Sequence, residues 1–283
     1  MATQNRGLVA GAGCFLLMQI ALGGERWRTI LGAVVRKKPP FLDVQAVFYA
    51  SIFFNSLPIG TVGGDVVRVW LARRFAISTK RLVLSVLIDR VLVIVALLVL
   101  AGVTLPKIRQ PLAFDAWFAV AALLLCMLTS FLLLRPIEGV LGRWRDLGLV
   151  ALALRTMEEL RVIARIGGLL GLFYAVLSSA CYALAAYCIG RSLGIAVGPI
   201  AMMAVMSIVI FVTALPISLA GWGVREVSVV GLLGLLGVDR AAALVLSVEF
   251  GLLSTLLSLP GGAIWLGLRD GSPAWLPRQS SGA

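Results

Sequence analysis

"FFNSLPIGTVGGDVVRVWLARR" (residues 53–74) begins apolar, breaks at Pro58, passes Gly60, Gly63 and Gly64, and ends in one acid and three arginines. A membrane span would not be interrupted in its middle, and a soluble loop would not be so apolar. The flanking charges decide between these readings. Residues 23–43 read as a loop carrying Arg26, Arg28, Arg36, Lys37 and Lys38, and the chain after the break carries Arg68, Arg73, Arg74, Lys80 and Arg81. Basic loops mark the cytoplasmic side. With both flanks on that side, residues 44–64 enter the bilayer and come back, and Pro58 and the glycines form the turn. Irregular backbone at that depth must be buried in protein or line a wet cavity.

The rest of the chain supports a membrane setting. Of its 283 residues, 60% are hydrophobic and 13% charged, against about a quarter charged in soluble domains. Long apolar runs lie at 8–22, 82–105, 112–134, 167–190 and 241–268, and a helical span needs roughly 20 such residues. The fold class is therefore an all-α polytopic membrane protein, a helical bundle. A β-barrel would show short alternating segments instead. The run at 8–22 reads as a shortened or tilted first span ending at Gly23-Gly24. Trp27, Trp117 and Trp265 fall at expected span ends, where their rings suit the headgroup zone. Residues 147–165 read as an amphipathic interfacial helix. Residues 1–269 form one membrane domain and 270–283 a short polar tail.

The net charge of +12 follows the apolar runs, so it points to membrane topology and anionic lipid and not to nucleic acid. Cys14, Cys126, Cys181 and Cys188 lie in apolar segments without metal or redox spacing, and the chain has no histidine. No metal, cofactor or covalent catalysis is expected.

The broken stretch has an echo. "LPIGTVG" at 57–63 matches "LPISLAG" at 215–221, and "LVLSV" occurs at 82–86 and again at 244–248. Each LVLSV is followed by an acid, Asp89 in one copy and Glu249 in the other. The second stretch, residues 197–238, is broken at Pro216, Gly221 and Gly223. Charge places the first hairpin open to the cytoplasm and the second open to the outside, an inverted internal repeat. Broken helices in corresponding places of two halves point to a transporter's substrate site.

Asn55 with "LPIGTVGGDVVRVWLARR", then "SVLIDRVL", then "ALPISLAGWGVRE", resembles the lysylphosphatidylglycerol synthase transmembrane region family, also called the flippase-like domain family. Arg26-Trp27 fits the family's earlier pattern, and the resemblance covers roughly residues 8–268. It implies a multi-pass protein of the cell inner (cytoplasmic) membrane that moves or handles a lipid, such as aminoacylated phosphatidylglycerol or a polyprenyl-linked amphiphile. Membrane lipids, anionic or lipid-linked, are the implied partners, with a homo-oligomer or a lipid-synthesis enzyme beside them. Longer members carry a soluble aminoacyl-transferase domain after the membrane region. The chain stops at Ala283 without room for one, so the expectation is a transporter and not an enzyme. Typical members also have a further span before the Arg-Trp helix.

The candidate headgroup site comprises Asn55, Gly63, Gly64, Asp65, Arg68, Asp89, Arg90, Gly221, Gly223, Arg225, Glu226 and Glu249. Gly63-Gly64 would let a helix begin, with Asp65 near its N-terminus orienting Arg68 toward a phosphate. Asp89 and Arg90 are neighbours that point about 100° apart on a helix, so each needs another partner. They serve either an ion-pair network that includes Arg68 or direct substrate contact. Arg225 would take a headgroup phosphate, with Glu226 or Glu249 near a cationic group or a proton. A membrane enzyme or subunit of a lipid-modifying system, and a structural membrane partner, are the rival functions.

Overall fold

The computed structural model describes residues 5–35, 38–57, 61–107, 148–214 and 223–269, with backbone alone at 61–62, 148–167 and 214. The hairpin breaks Pro58 and Pro216, Gly60 and Gly221, the expected span at 112–134, Trp117, Cys126 and the tail lie outside these residues.

The described residues form helices α1 (Arg6–Val35), α2 (Phe41–Ser56), α3 (Thr61–Ala72), α4 (Thr79–Thr104), α5 (Gly148–Ser192), α6 (Pro199–Ala214), α7 (Val224–Leu235) and α8 (Arg240–Arg269). Short 3₁₀ turns follow α3 at Arg73–Phe75 and α4 at Leu105–Lys107. Four segments are long and apolar enough to cross a membrane: Arg6–Val35, Thr79–Lys107, Gly168–Ser192 and Arg240–Arg269. They turn large apolar side chains outward, among them Leu17, Leu87, Val91, Phe173, Leu252 and Leu256. Such a surface is a liability in water and is well solvated in lipid. The protein is a multi-pass membrane protein.

The broken stretches become two pairs of short helices. α2 and α6 have 16 residues each, and α3 and α7 have 12 each. At 1.5 Å per residue these are about 24 and 18 Å long, short of a ~30 Å hydrocarbon core.

Several expectations change. The first span is not short and does not end at Gly23-Gly24. α1 continues for 30 residues to Val35, so Glu25, Arg26 and Arg28 are helical and not in a loop. Trp27 is fully buried in the bundle and does not sit at the headgroup level. The expected interfacial helix at 147–165 is continuous with the span that follows it, in one helix from Gly148 to Ser192.

The glycine doublets explain part of this. A Cβ on Gly23 would stand 2.6 Å from Cζ of Phe48, and one on Gly24 would strike the Gln45 amide. Both neighbours belong to α2, so the doublet is where α2 crosses α1. Gly63-Gly64 likewise lies inside α3, which begins at Thr61 and not at the glycines. A Cβ on Gly64 would run into the Ser51 carbonyl and the Asn55 side chain. Gly261-Gly262 in α8 meets the Tyr49 carbonyl and the Phe53 ring in the same way. Small residues let membrane helices approach closely, and these three doublets mark crossings rather than ends.

α1 and α5 run antiparallel: Gly11 lies near Cys188 and Arg26 near Ser178. Around this pair the contacts fall into two matching sets. α2 packs on α8 and α6 on α4; α1 meets α4 and α5 meets α8; α3 packs between α2 and α4, and α7 between α6 and α8. Two main cores result. One gathers Trp27, Leu31, Val44, Phe48, Leu71 and Leu82. The other gathers Ile189, Met202, Met206, Leu233, Leu246 and Phe250.

Candidate functional site

Asp89 lies ten residues into α4, about 15 Å along it. It is only 3% exposed, yet it faces two arginines. Oδ1 accepts from Arg26 Nε at 2.6 Å, and Oδ2 accepts from Arg26 Nη2 at 3.1 Å and from Arg68 Nη1 at 3.0 Å. The fork of Arg26 thus grips the carboxylate bidentately, the strong geometry for this pair. Arg26 Nη1 continues to Ser178 Oγ on α5, and Arg68 Nε to Ser51 Oγ on α2. The Arg68 guanidinium also lies 4.5 Å from the Phe48 ring centre and 5.4 Å from that of Trp27. Trp27 Nε1 donates to Ser85 Oγ.

Asp65 extends the cluster. Its Oδ2 accepts from Arg90 Nε at 2.9 Å, and its Oδ1 stands 3.6 Å from Arg68 Nη2. Asp89 and Arg90 therefore do find separate partners, as adjacent helix positions require. Asp65, Arg68, Asp89 and Arg90 come together as one ion network. Its further member Arg26 was hidden by reading Gly23-Gly24 as a helix end. The available signal was "ERWR" directly beyond an apolar run, which places an arginine within reach of a span interior. Two arginines on one carboxylate stabilise each other's burial only while all three remain; loss of one partner of such a buried group costs about 3–5 kcal/mol.

The second short pair is built differently. Gly223 has φ +82°, a conformation that favours glycine, and starts α7. Glu226 Oε2 accepts the Gly223 N–H, while Oε1 accepts from Arg225 Nη2 at 2.8 Å and Nε at 3.2 Å. Arg225 also reaches the Tyr182 hydroxyl of α5. Its guanidinium lies directly over Gly251 of α8, in the space a side chain there would occupy. Glu249 sits on α8 two positions earlier, partly exposed. In the register of the two LVLSV copies, the position of Asp89 corresponds to Gly251 and not to Glu249.

Arg225 opens onto a cavity of about 200 Å³. Its polar lining comes from Gln19 of α1, Asn55 and Ser56 of α2, Tyr182 of α5, Arg225 of α7, and Ser254, Thr255 and Ser258 of α8. Ser56 and Ser258 hydroxyls bond to each other at 2.9 Å across it. Gln19, Tyr182 and Ser258 carry no signal in the sequence beyond polarity within apolar runs. A separate open groove of about 850 Å³ runs between α7 and α8, from Glu226 past Val230 and Gly234 to Asp239 and Arg240. Arg225 lines the cavity, and its ion-pair partner Glu226 lines the groove. Of the expected site residues, Asn55 and Arg225 line the cavity, and Asp65, Arg68, Asp89 and Arg90 form the separate network. Gly63 and Gly64 are part of α3, and Gly223 starts α7.

A family model described as lysylphosphatidylglycerol synthase TM region matches residues 1–262 of the chain. No curated protein and no solved structure matches it.

Proposed function

Because the chain belongs to the lysylphosphatidylglycerol synthase TM region family, we propose that it is a lipid transporter of the cytoplasmic membrane. The observation that carries this reading is the cavity at which one arm of each short pair, α2 and α7, meets long helices, with an arginine and several hydroxyls and amides in its wall. Its walls come from α1, α2, α5, α7 and α8 at once. A headgroup held there would be surrounded by hydrogen-bonding side chains while its chains stayed in lipid. Such sites, formed by interrupted helices of two halves, are the usual arrangement of secondary transporters.

On this reading the short pairs are re-entrant hairpins of an inverted repeat. The matching helix contacts and the antiparallel α1–α5 pair support it. The Asp89 network holds the bundle together beside the cavity, because protein groups already surround its arginines. The protein then performs no covalent step; it lowers the barrier for a polar head to cross. That barrier is otherwise the cost of placing charged and hydrogen-bonding groups in hydrocarbon.

Reconstitution tests this. Purified full chain in vesicles should let fluorescent phospholipid leave the inner leaflet, read by quenching with a membrane-impermeant reductant. Protein-free and protein-containing vesicles that quench at the same rate, across anionic and zwitterionic lipids, would reject transport.

A further inference from the structure

α4 and α8 carry the two LVLSV copies, and they differ in the residues that stiffen a helix. From Thr79 to Ala101, α4 has neither glycine nor proline. α8 carries Gly251, Pro260, Gly261 and Gly262 within its length. Pro260 has no N–H, so the Leu256 carbonyl lacks its donor within the helix, and the ring presses on that turn. Proline and adjoining small residues are the usual causes of a helix bend. The same turns rest on α2. The Tyr49 hydroxyl donates to the Leu257 carbonyl, and the Ser56 and Ser258 hydroxyls bond to each other. Gly261 and Gly262 leave the space that the Tyr49 carbonyl and the Phe53 ring fill.

Pro260 also lies where α8 changes neighbours. On its N-terminal side, Ala243, Leu246 and Phe250 belong to the core that holds Ile189 and Met206. On its C-terminal side, Leu268 belongs to the core that holds Trp27 and Val44, with Ile264 and Trp265 packed against it. A stiff helix through both would make them one body. A proline at the changeover lets one core turn against the other. The cavity wall stands on the turns just before it: Ser254, Thr255, Leu257 and Ser258. A bend there moves that wall against Asn55 and Ser56 on α2.

Resting on the transporter reading above for its use, we propose that α8 is a hinge. It bends at residues 257–262 and so reshapes the cavity, and the Tyr49 hydroxyl is the latch that holds its middle against α2. The latch suits its place. A buried carbonyl beside a proline needs a donor from elsewhere, and Tyr49 brings one from the helix that the hinge must move past. Breaking the Tyr49–Leu257 and Ser56–Ser258 bonds frees the turn without disturbing either core, since neither bond lies within one. α4, with no such interruption, keeps its shape while α8 bends.

Pulsed electron paramagnetic resonance on the full chain in lipid bilayers tests the inference, with the four cysteines replaced by alanine. Nitroxides at Leu244→Cys and Leu266→Cys, both exposed on α8, stand about 33 Å apart along a straight helix. A control pair at Val83→Cys and Val103→Cys, exposed on α4, stands about 30 Å apart. The α4 pair should give one narrow distance, and the α8 pair a main distance with a minor second one. Tyr49→Phe should raise the minor α8 population roughly fivefold, the worth of one hydrogen bond. Pro260→Ala, at an exposed position, restores the N–H and should leave one narrow distance, alone or combined with Tyr49→Phe. An unchanged melting temperature shows that each variant is folded, and Pro260→Ala decides the matter if Tyr49→Phe is not. An α8 distance as narrow as that of α4 in wild type and Tyr49→Phe would overturn the hinge. A second distance that persists in Pro260→Ala would overturn its place at Pro260, and no response to Tyr49→Phe would overturn the latch. Distances that move as expected, without transport of any lipid, would sink the transporter reading and leave the hinge standing.

Discussion

The two short helix pairs have equal arm lengths, and each carries an arginine paired with a carboxylate from a different source. In the first, Arg68 is clamped to a carboxylate from the neighbouring long helix, Asp89, with Arg26 closing the other side. In the second, Arg225 meets a glycine at the corresponding place on α8 and takes its carboxylate from the next residue of its own helix. An arginine is therefore held in a buried ion network beside one pair and lines a cavity beside the other. The two arginines do not stand at matching positions, Arg68 being eighth in α3 and Arg225 second in α7, so the echo in sequence does not extend to their ion pairs.

The largest expected effect breaks the first half. Asp89→Ala leaves Arg26 and Arg68 buried without their shared anion and should cost about 3–5 kcal/mol, seen as a large fall in melting temperature in detergent. Arg225→Gln should lower it far less. A melting temperature for Asp89→Ala within a degree or two of wild type would refute the clamp.

Gly64→Ala comes next, because its methyl would strike the Ser51 carbonyl and Asn55. Overpacking of this kind costs about 1–3 kcal/mol. The start of the second pair answers differently: nothing crowds Gly223, so Gly223→Ala pays only backbone strain at φ +82°, of order 1 kcal/mol. Denaturation of both variants separates a packing glycine from a conformational one.

Gly251→Asp would give the second half the carboxylate of the first. The group it displaces is the flexible end of Arg225, so the fold should survive. Phospholipid transport should fall about tenfold, equivalent to ~1.4 kcal/mol, while thermal stability holds or rises. Undiminished transport would mean that Arg225 does not act through its open position.

The smallest effect concerns the serines of the LVLSV copies. Ser85 Oγ accepts from Trp27, whereas Ser247 Oγ is buried without a hydrogen-bond partner. Ser85→Ala should cost about 1 kcal/mol and Ser247→Ala none, a difference readable in paired thermal melts.

Much of the fold was legible because the bilayer leaves few options. Apolar runs of span length become helices, and Pro58 and Pro216 fall between short arms. The ion network was legible in part, since Asp89 and Arg90 cannot face each other and Asp65 and Arg68 can. What failed was the reading of glycine. In water Gly23-Gly24 weakens a helix, so α1 was cut there and Arg26 and Trp27 were assigned to the surface. In lipid a helix keeps its hydrogen bonds regardless, and the missing side chains serve the neighbour that packs against them. Which acid partnered which arginine depended on helix register across the bundle, and periodicity within one helix does not contain that. The cavity wall was illegible for the same reason: Gln19, Tyr182 and Ser258 are single polar residues on different helices, joined only by packing.

The Asp89 network also bears on how the chain enters the membrane during synthesis. Arg26, Arg68 and Asp89 sit on three separate segments, and each alone would resist the hydrocarbon by about 2.5–3.5 kcal/mol at mid-depth. α3, with 12 residues, has too little apolar length to offset that by itself. α3, which carries Arg68, settles against its neighbours only once α4 supplies the opposite charge of Asp89. Its insertion is then a cooperative event that waits for residue 89 to leave the ribosome, and α4 acts as the internal chaperone of the segment made before it.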